Sequence, residues 1–195
     1  MSINFKSLAA AAFLALAATA TAASANVAKS EFRGVVLVAP GTEEAETVPG
    51  FERGKLVDFA TAKTAGSIVI VTKTNRLYYV LGNGKAIMYR VATARKGFGW
   101  SGTHKVSMKQ KWPDWRPPSE MRVRHPELPV FMEGGPKNPL GARAMYLGGS
   151  IYRIHGTNEP SSIGKSASSG CIRMLNADVT ELFRHVTIGT SVTVI

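Results

Sequence analysis

The residues of this sequence best suited to chemistry are one histidine and one cysteine, sixteen positions apart. His155 ends the predicted strand 151–155, and Cys171, the only cysteine in the 195 residues, follows Ser168-Ser169-Gly170. A thiol attacks a carbonyl carbon as its thiolate, which requires a base or cation nearby and partial exposure. A histidine at a strand end that faces a glycine-flanked cysteine supplies such a base. The pair therefore predicts a cysteine nucleophile with a histidine general base.

The glycine before the cysteine predicts a turn that binds a developing negative charge. Gly170 has no side chain, so a substrate carbonyl can approach its backbone. The N–H groups of Gly170 and Cys171 can then form an oxyanion hole. The alternative is that Cys171 is a small buried residue and His155 a hydrogen-bonded strand residue. The catalytic interpretation is favoured because an unpaired thiol is a liability in an oxidising compartment.

The first 25 residues have the three parts of a secretory signal peptide. Lys6 precedes an apolar run over 8–18, and the segment ends in the small residues Ala23-Ser24-Ala25. This pattern predicts export with cleavage before Asn26, the alternative being an uncleaved N-terminal anchor. The apolar run is too short to span a bilayer comfortably.

The charge balance is strongly basic, with 24 Lys and Arg against 13 Asp and Glu and a net charge of +11. A basic protein binds polyanions, and export excludes nucleic acid as the partner. The remaining anions are the carboxylates of cell-wall peptides, wall polymers and lipid head groups; the alternative is a charge that only maintains solubility. The sequence has no metal-ligand cluster, phosphate loop or nucleotide fingerprint, so no cofactor and no metal are expected.

The elements that must position the pair are mostly β-strands. From Ser67 onward, short β-branched and aromatic runs alternate with turns, and Asn83-Gly84 predicts a hairpin. Asn176 is expected to cap one short helix after the cysteine, whose apolar residues recur at helical spacing: Val179, Leu182, Phe183 and Val186. Residues 26–66 are expected to be a lead-in outside the main core, and 67–195 to form the catalytic domain.

A proline-rich stretch over 111–141 interrupts this pattern. It holds seven of the ten prolines together with Trp112 and Trp115. Such a segment cannot be strand or helix throughout. Long loops of this kind are usually functional, which predicts a lid or binding wall, and the alternative is a rigid cover over the core.

The stretch HGTNEPSSIGKSASSGCIRMLNADV closely resembles the active-site segment of the L,D-transpeptidases, the YkuD-type or ErfK/YbiS-type cell-wall enzymes. The similarity continues upstream through IYRIHGT, GGPKNPLGARAMYL, WSGT and LYYVLGNGKAIMYRV, and so covers residues 66–195. It implies a YkuD-like β-sandwich or barrel with Cys171 as nucleophile and His155 as base and later acid. Many members have a second histidine where this chain has Ser169, which leaves the role of that position open.

The resemblance also implies an activity. Cys171 would attack the bond before the fourth residue of a peptidoglycan stem, release D-Ala and form a thioester. An amine on another stem or on a wall-anchored acceptor protein would then resolve it, in the periplasm, with carbapenem-type β-lactams as expected inhibitors. Hydrolysis by the same site, as an L,D-carboxypeptidase, and a catalytically silent peptidoglycan-binding protein are the alternatives.

Further site residues are expected around this pair. Arg173 would bind a substrate carboxylate or Asp178 at the first turn of the helix. Trp100 and Tyr146 are candidates for the cleft wall, and the three other histidines are expected to be structural. The expected substrate-binding residues are Arg173, Gly156, Tyr146 and Asn158.

Overall fold

A computed structural model describes residues 48–195 of the chain. The expected signal peptide over 1–25 and the first part of the expected lead-in lie outside the described residues. Within 48–195, no helix is both long enough and apolar enough to cross a membrane.

The strands of the described chain are β1 Lys55–Asp58, β2 Ile68–Val71, β3 Arg76–Gly82, β4 Lys85–Arg90, β5 Thr93–Ala94, β6 Gly102–Lys111, β7 Arg143–Leu147, β8 Arg153–His155, β9 Ser166–Ser168, β10 Ile172–Arg173 and β11 Ser191–Val194. Nine of them form one sheet with the order β1-β4-β3-β2-β11-β6-β7-β8-β10. A second, two-stranded sheet pairs β5 with β9. The helices are α1 Ser119–Arg124 and α2 Asn176–His185, with 3₁₀ turns at Thr72–Thr74 and Pro160–Ser162. The expected mostly β fold is confirmed.

The hairpin between β3 and β4 turns where the Asn-Gly pair predicts it. Asn83 and Gly84 have φ values of 50° and 71°. Two successive residues in the left-handed region are characteristic of a type I′ turn, whose twist matches that of the flanking strands. Gly82 pairs with Lys85 beside the turn, and a bulge between Val80 and Gly82 then shifts the register by one residue, so that the buried residues Leu77 and Tyr89 lie opposite each other.

The sheet and α2 enclose one apolar core. Each part of the sheet contributes fully buried side chains, such as Ile70 from β2 and Ile154 from β8. The helix contributes Val179 and Leu182, and Val186 directly follows its last residue; none of the three is exposed. The periodicity that predicts this helix is therefore confirmed, and α1 is an additional short helix inside the proline-rich stretch.

The core begins earlier in the chain than expected. Val48 and Phe51 are buried in it, and β1 pairs with β4 at the edge of the main sheet. Part of the expected lead-in therefore belongs to the same packed unit. Glu181 of α2 holds this segment, since its carboxylate accepts hydrogen bonds from the backbone N–H groups of residues 52, 53 and 54 at 2.6, 2.8 and 3.1 Å.

The proline-rich stretch is held in one conformation by hydrogen bonds among its own residues. Trp115 is buried and exchanges backbone hydrogen bonds with Met132, and buried Asn138 donates to the carbonyls of Met132 and Glu133. Trp112 is 44% exposed, so only one of the two tryptophans packs into the interior. This hydrogen bonding favours the cover, while movement of the segment as a lid stays a prediction.

Candidate active site

The pairing of β8 with β10 brings the predicted pair to one face of the sheet. The two strands are parallel, with Ile172 beside Ile154 and Arg173 beside His155. Both isoleucines point into the core and are fully buried. Because side chains alternate along a strand, His155 and Arg173 face the opposite side. Cys171 precedes β10 by one residue and follows the same alternation, which makes it the diagonal neighbour of His155.

Backbone hydrogen bonding determines which nitrogen of His155 is basic. Nδ1 lies 2.6 Å from the carbonyl oxygen of Gly156, which can only accept a hydrogen bond. Nδ1 therefore carries the proton, and Nε2 is left with the lone pair. The ring is only 4% exposed, so this contact holds it in one orientation. His155 can thus act as a base through Nε2.

The surroundings of His155 disfavour its charged form. Burial and the charges of Arg173 and Arg153 together lower the pKa of the imidazole to about 3, although the carbonyls of Gly156 and Leu140 act in the opposite direction. The ring is therefore neutral near pH 7. A proton that it accepts is held weakly, so the imidazolium is a strong acid towards a departing amine.

The thiol of Cys171 is also neutral at rest. Burial raises its pKa, although the charge of Arg153, the backbone N–H of Arg153 and the charge of Arg173 act in the opposite direction. The resting pair is therefore a neutral thiol beside a neutral imidazole and not a thiolate–imidazolium pair. The physical reason is that burial disfavours both charged forms, while the nearby arginines only partly stabilise the thiolate and disfavour the imidazolium further. The thiolate must therefore form during attack.

The turn before Cys171 is tied together by Ser168. Its Oγ donates to the carbonyl of Cys171 at 2.6 Å and accepts from the N–H of Gly170 at 3.1 Å. The expected oxyanion donor at Gly170 is thus already engaged. The N–H of Cys171 donates to no acceptor within residues 48–195, so it is the donor that remains for a substrate oxygen. Ser169, half-buried in this turn, makes no side-chain hydrogen bond in the described chain.

Two stacked aromatic rings hold Gly170 in place. Trp100 and Tyr152 lie parallel with centroids 4.4 Å apart, and Nε1 of Trp100 donates to the carbonyl of Gly170 at 2.7 Å. Gly170 has a φ of 115°, and a Cβ atom at this position would lie 2.4 Å from Cε1 of Tyr152. Only glycine fits this turn. Trp100 thus fixes the turn that precedes Cys171, a role that the expectation of a cleft wall did not include.

Asn176 does not cap the helix as the sequence suggested. Its Oδ1 accepts hydrogen bonds from the N–H groups of Ala142 and Thr157 at 3.0 and 3.1 Å, and its Nδ2 donates to the carbonyl of Thr157 at 2.9 Å. The helix start has Leu175 as its N-cap and no side-chain cap. The side chain is diverted because the ends of β7 and β8 present backbone groups with no strand partner. Asn176 therefore fixes the segment that follows His155.

The carboxylate partner of Arg173 is Glu159 and not Asp178. Nη1 of Arg173 lies 3.0 Å from Oε2 of Glu159, in the loop after His155. Asp178 instead pairs with Nε of Arg53 at 3.2 Å. The expected bond within the helix start is wrong because the side chain of Arg173 projects from β10 towards the cleft side, whereas Asp178 faces the segment before β1.

The other expected substrate-binding residues differ in how far they are buried. Gly156 is buried, and a Cβ atom there would lie 2.2 Å from Oδ1 of Asn176. Asn158 is exposed and donates to the carbonyl of Lys137, which joins the loop to the proline-rich cover. Tyr146 is half-buried on the same face as Cys171, and its hydroxyl donates to Oε1 of Gln110 at 3.2 Å.

Arg153 was missed at this site. It lies two residues before His155 in β8, and its guanidinium carbon is 5.4 Å from the ring centroid of Tyr146. The sequence did contain a signal, because residues two apart on a strand share a face. Ser168 was also visible in the motif, but its double hydrogen bond depends on the conformation of the turn.

The histidines outside the pair make structural contacts. Nδ1 of His104 lies 3.0 Å from the carbonyl of Gly148, and His185 stacks on Phe51 with centroids 3.8 Å apart. His125 contacts Glu127 on the surface. Among the described residues, no group of three or more His, Cys, Asp or Glu side chains is arranged to hold a metal ion.

A mostly β fold with a thiol and a neutral imidazole on one sheet face, beside a free backbone N–H, has the parts of a cysteine-dependent acyl-transfer enzyme. The comparison with known families is more specific. Residues 65–194 match the YkuD family model, described as the L,D-transpeptidase catalytic domain. The chain belongs to this family.

Individual relatives agree with this assignment. The chain is 37% identical over 134 residues to the probable L,D-transpeptidase YbiS of Escherichia coli, covering 64% of this chain and 43% of that protein. It is also 37% identical over 132 residues to the putative L,D-transpeptidase YqjB of Bacillus subtilis, covering 64% and 68%. The solved catalytic domain of the E. faecium L,D-transpeptidase superposes with a TM-score of 0.54 at 17% identity, covering 69% of this chain and all of that domain. The match thus spans less than half of YbiS.

Proposed function

We propose that this protein is an exported L,D-transpeptidase that acts on peptidoglycan stem peptides through a thioester on Cys171. The observation that carries the proposal is the placement of Cys171 and His155 as diagonal neighbours on one face of β8 and β10, in a chain that belongs to the family. In this scheme Cys171 attacks the carbonyl of the third stem residue. The bond to the D-amino acid at position four breaks, and that amino acid leaves as a free amine.

Proton transfer in this scheme runs through Nε2 of His155. The neutral imidazole takes the thiol proton as sulfur attacks, and it returns this proton to the nitrogen of the departing residue. The low pKa of His155 favours the second transfer, since the imidazolium gives up its proton readily. The N–H of Cys171 binds the oxygen that becomes negative in between. No cofactor takes part in either step.

The acceptor amine comes from a second stem or from a wall-anchored protein. It attacks the thioester and returns Cys171 as a free thiol, with His155 accepting the amine proton. The strongly basic composition supports anionic partners, and stem peptides carry carboxylates. The N-terminal pattern over 1–25 supports a periplasmic location, and that location excludes nucleic acid as the partner.

Carbapenem-type β-lactams are proposed inhibitors of this protein. Two solved structures with similar folds carry related compounds: an L,D-transpeptidase of Mycobacterium tuberculosis has a faropenem-derived adduct, and another is in complex with imipenem. An activated lactam carbonyl would acylate Cys171 as the stem carbonyl does. The expected result is a stoichiometric mass increase of the protein that is absent in Cys171→Ala.

The deciding experiment incubates the protein with tetrapeptide-bearing muropeptides and identifies the products by mass spectrometry. A cross-linked dimer, with loss of the terminal D-amino acid, is the expected result. A bare tripeptide would indicate the carboxypeptidase alternative, and no change with intact binding would indicate a silent wall-binding protein. Cys171→Ala serves as the inactive control, and Ser169→Ala as a matched substitution in the same turn that should retain activity.

A further inference from the structure

Arg153 is the residue of β8 that lies beside Cys171, one position before the Ile154–Ile172 pair of the two parallel strands. It occupies the first position of β8, opposite Tyr146 in the neighbouring strand, and its charge opposes the rise that burial causes in the pKa of the Cys171 thiol. The guanidinium carbon lies 5.4 Å from the centroid of the Tyr146 ring. The aromatic ring therefore holds this side chain on the cleft face of the sheet.

The donors of this guanidinium are largely unused. Nη2 makes a 3.3 Å hydrogen bond to the carbonyl of Ile151, and Nε is buried without any partner in the described chain. No carboxylate of residues 48–195 lies within ion-pair distance of it, whereas Arg173 is already paired with Glu159 at 3.0 Å. A buried donor without a partner is unusual in a folded protein and points to a ligand that the site receives.

The chemistry of the guanidinium identifies the class of ligand. Its planar edge offers parallel N–H groups that match the two oxygens of a carboxylate. In the proposed donor stem, the residue that leaves carries such a carboxylate, three bonds from the carbonyl that sulfur attacks. One residue spans about 3.8 Å along the chain, and attack begins at about 3–3.5 Å. The carboxylate therefore falls within reach of an arginine on a strand about 4.8 Å away.

We propose that Arg153 binds the α-carboxylate of the D-amino acid that leaves the donor stem. This inference rests on the proposed function, because it assigns the substrate group that one side chain of that same site holds. Arg153 is then a specificity-determining residue, which selects stems whose terminal residue has a free carboxylate.

Binding of this carboxylate also changes the electrostatics of the catalytic pair. The charge of Arg153 is one cause of the low pKa of His155, after burial and the charge of Arg173. A carboxylate paired with Arg153 offsets that charge and makes protonation of the imidazole less costly. His155 thus becomes a better base when a donor with a free terminal carboxylate is bound.

The test compares three synthetic tetrapeptide stems: one with a free terminal carboxylate, one with a terminal carboxamide, and one amidated on the third residue instead. The protein should use the first stem at least about tenfold better in kcat/KM than the second, mainly through KM, since a charged hydrogen-bonded pair is lost. Arg153→Met should abolish this preference, and Arg153→Lys should keep part of it. Arg122→Met is the matched control, because Nε of Arg122 is also buried and unpartnered but lies in α1.

Three results would overturn the proposal. The first is that Arg153→Met retains the preference for a free terminal carboxylate, and the second is that this variant slows turnover of both stems equally, which would mean that Arg153 acts only on the thiol. The third is that the preference depends on the amide of the third residue and not on the terminal carboxylate. Calorimetric binding of the free-carboxylate stem in the Cys171→Ala background needs no turnover, and Arg153→Met should weaken it about tenfold. A protein that turns over no stem contradicts the proposed function, whereas equal binding with and without Arg153 contradicts only this inference.

Discussion

Asn176 offers the sharpest test of how the fold positions the histidine. Substitution with alanine removes three hydrogen bonds at once and leaves two N–H groups and one carbonyl of the segments around Ala142 and Thr157 without partners. A typical hydrogen bond contributes about 0.5–1.5 kcal/mol, and an orphaned buried group costs about 1–3 kcal/mol. Asn176 is only half-buried, so we expect Asn176→Ala to lower the free energy of unfolding by about 3 kcal/mol, below the sum of these upper values.

The assay for Asn176→Ala is urea unfolding followed by tryptophan fluorescence. In thermal unfolding, a loss of 1 kcal/mol lowers the melting temperature of a domain of this size by about 2–4 °C, so the melting temperature of Asn176→Ala should fall by about 6–12 °C. Asn158→Ala is the matched control, because exposed Asn158 makes a single bond to the carbonyl of Lys137, and it should cost less than about 1 kcal/mol. If the free energy of unfolding falls by the same small amount in both variants, Asn176 does not hold the loop after His155. Turnover should also fall more steeply than stability at temperatures where the variant is folded.

Further substitutions and pH changes test the remaining steps. Gly170→Ala should reduce turnover by more than about a hundredfold, since its Cβ would meet the ring of Tyr152 at 2.4 Å, whereas Ser169→Ala should leave turnover within about threefold. The rate of Cys171 alkylation by iodoacetamide should rise about tenfold per pH unit between pH 6 and 9, because the pKa of the thiol is raised; a rate independent of pH would demonstrate a resting ion pair instead. Burial raises the pKa of Glu181, but hydrogen bonds from Tyr89 and the backbone outweigh it and lower this pKa below 4.5. The stability that ionised Glu181 contributes is therefore complete above pH 4.5, the pKa in the unfolded chain, and is lost as the pH falls through the lower pKa of the folded protein. Glu181→Gln should remove this acid-dependent loss of stability in urea titrations.

Local patterns predicted the elements of the fold well. The Asn83-Gly84 turn and the spacing of Val179, Leu182 and Val186 depend on backbone preference and periodicity, which are properties of short segments. The register that places Arg173 beside His155 is a long-range pairing. The alternation of each strand indicates which residues share a face, but only the pairing shows which faces meet.

The sequence predicted the residues that carry the reacting atoms, but it predicted less well the residues that hold them in position. Cys171 and His155 are conspicuous because few residue types do their chemistry. Asn176 shows why supports are harder, since a residue of a common capping type serves backbone groups 19 and 34 positions away. The neutral resting state of the pair was not predicted either, because the burial of His155 depends on segments far from it in sequence, such as the one that carries the carbonyl of Leu140.

The carboxylate of Glu181 accepts hydrogen bonds from the main-chain N–H groups of residues 52–54 and, at 2.8 Å, from the hydroxyl of Tyr89. Almost any amino acid supplies a main-chain donor, so these contacts with Glu181 do not depend on the side chains at positions 52 and 53, although the side chain of Arg53 separately pairs with Asp178. Gly54 is restricted, since a Cβ atom there would lie 2.1 Å from Ile87. The packed unit of this chain therefore extends further toward the N-terminus than the family match, which begins at residue 65, and a fragment that starts there would lack the main-chain partners of Glu181.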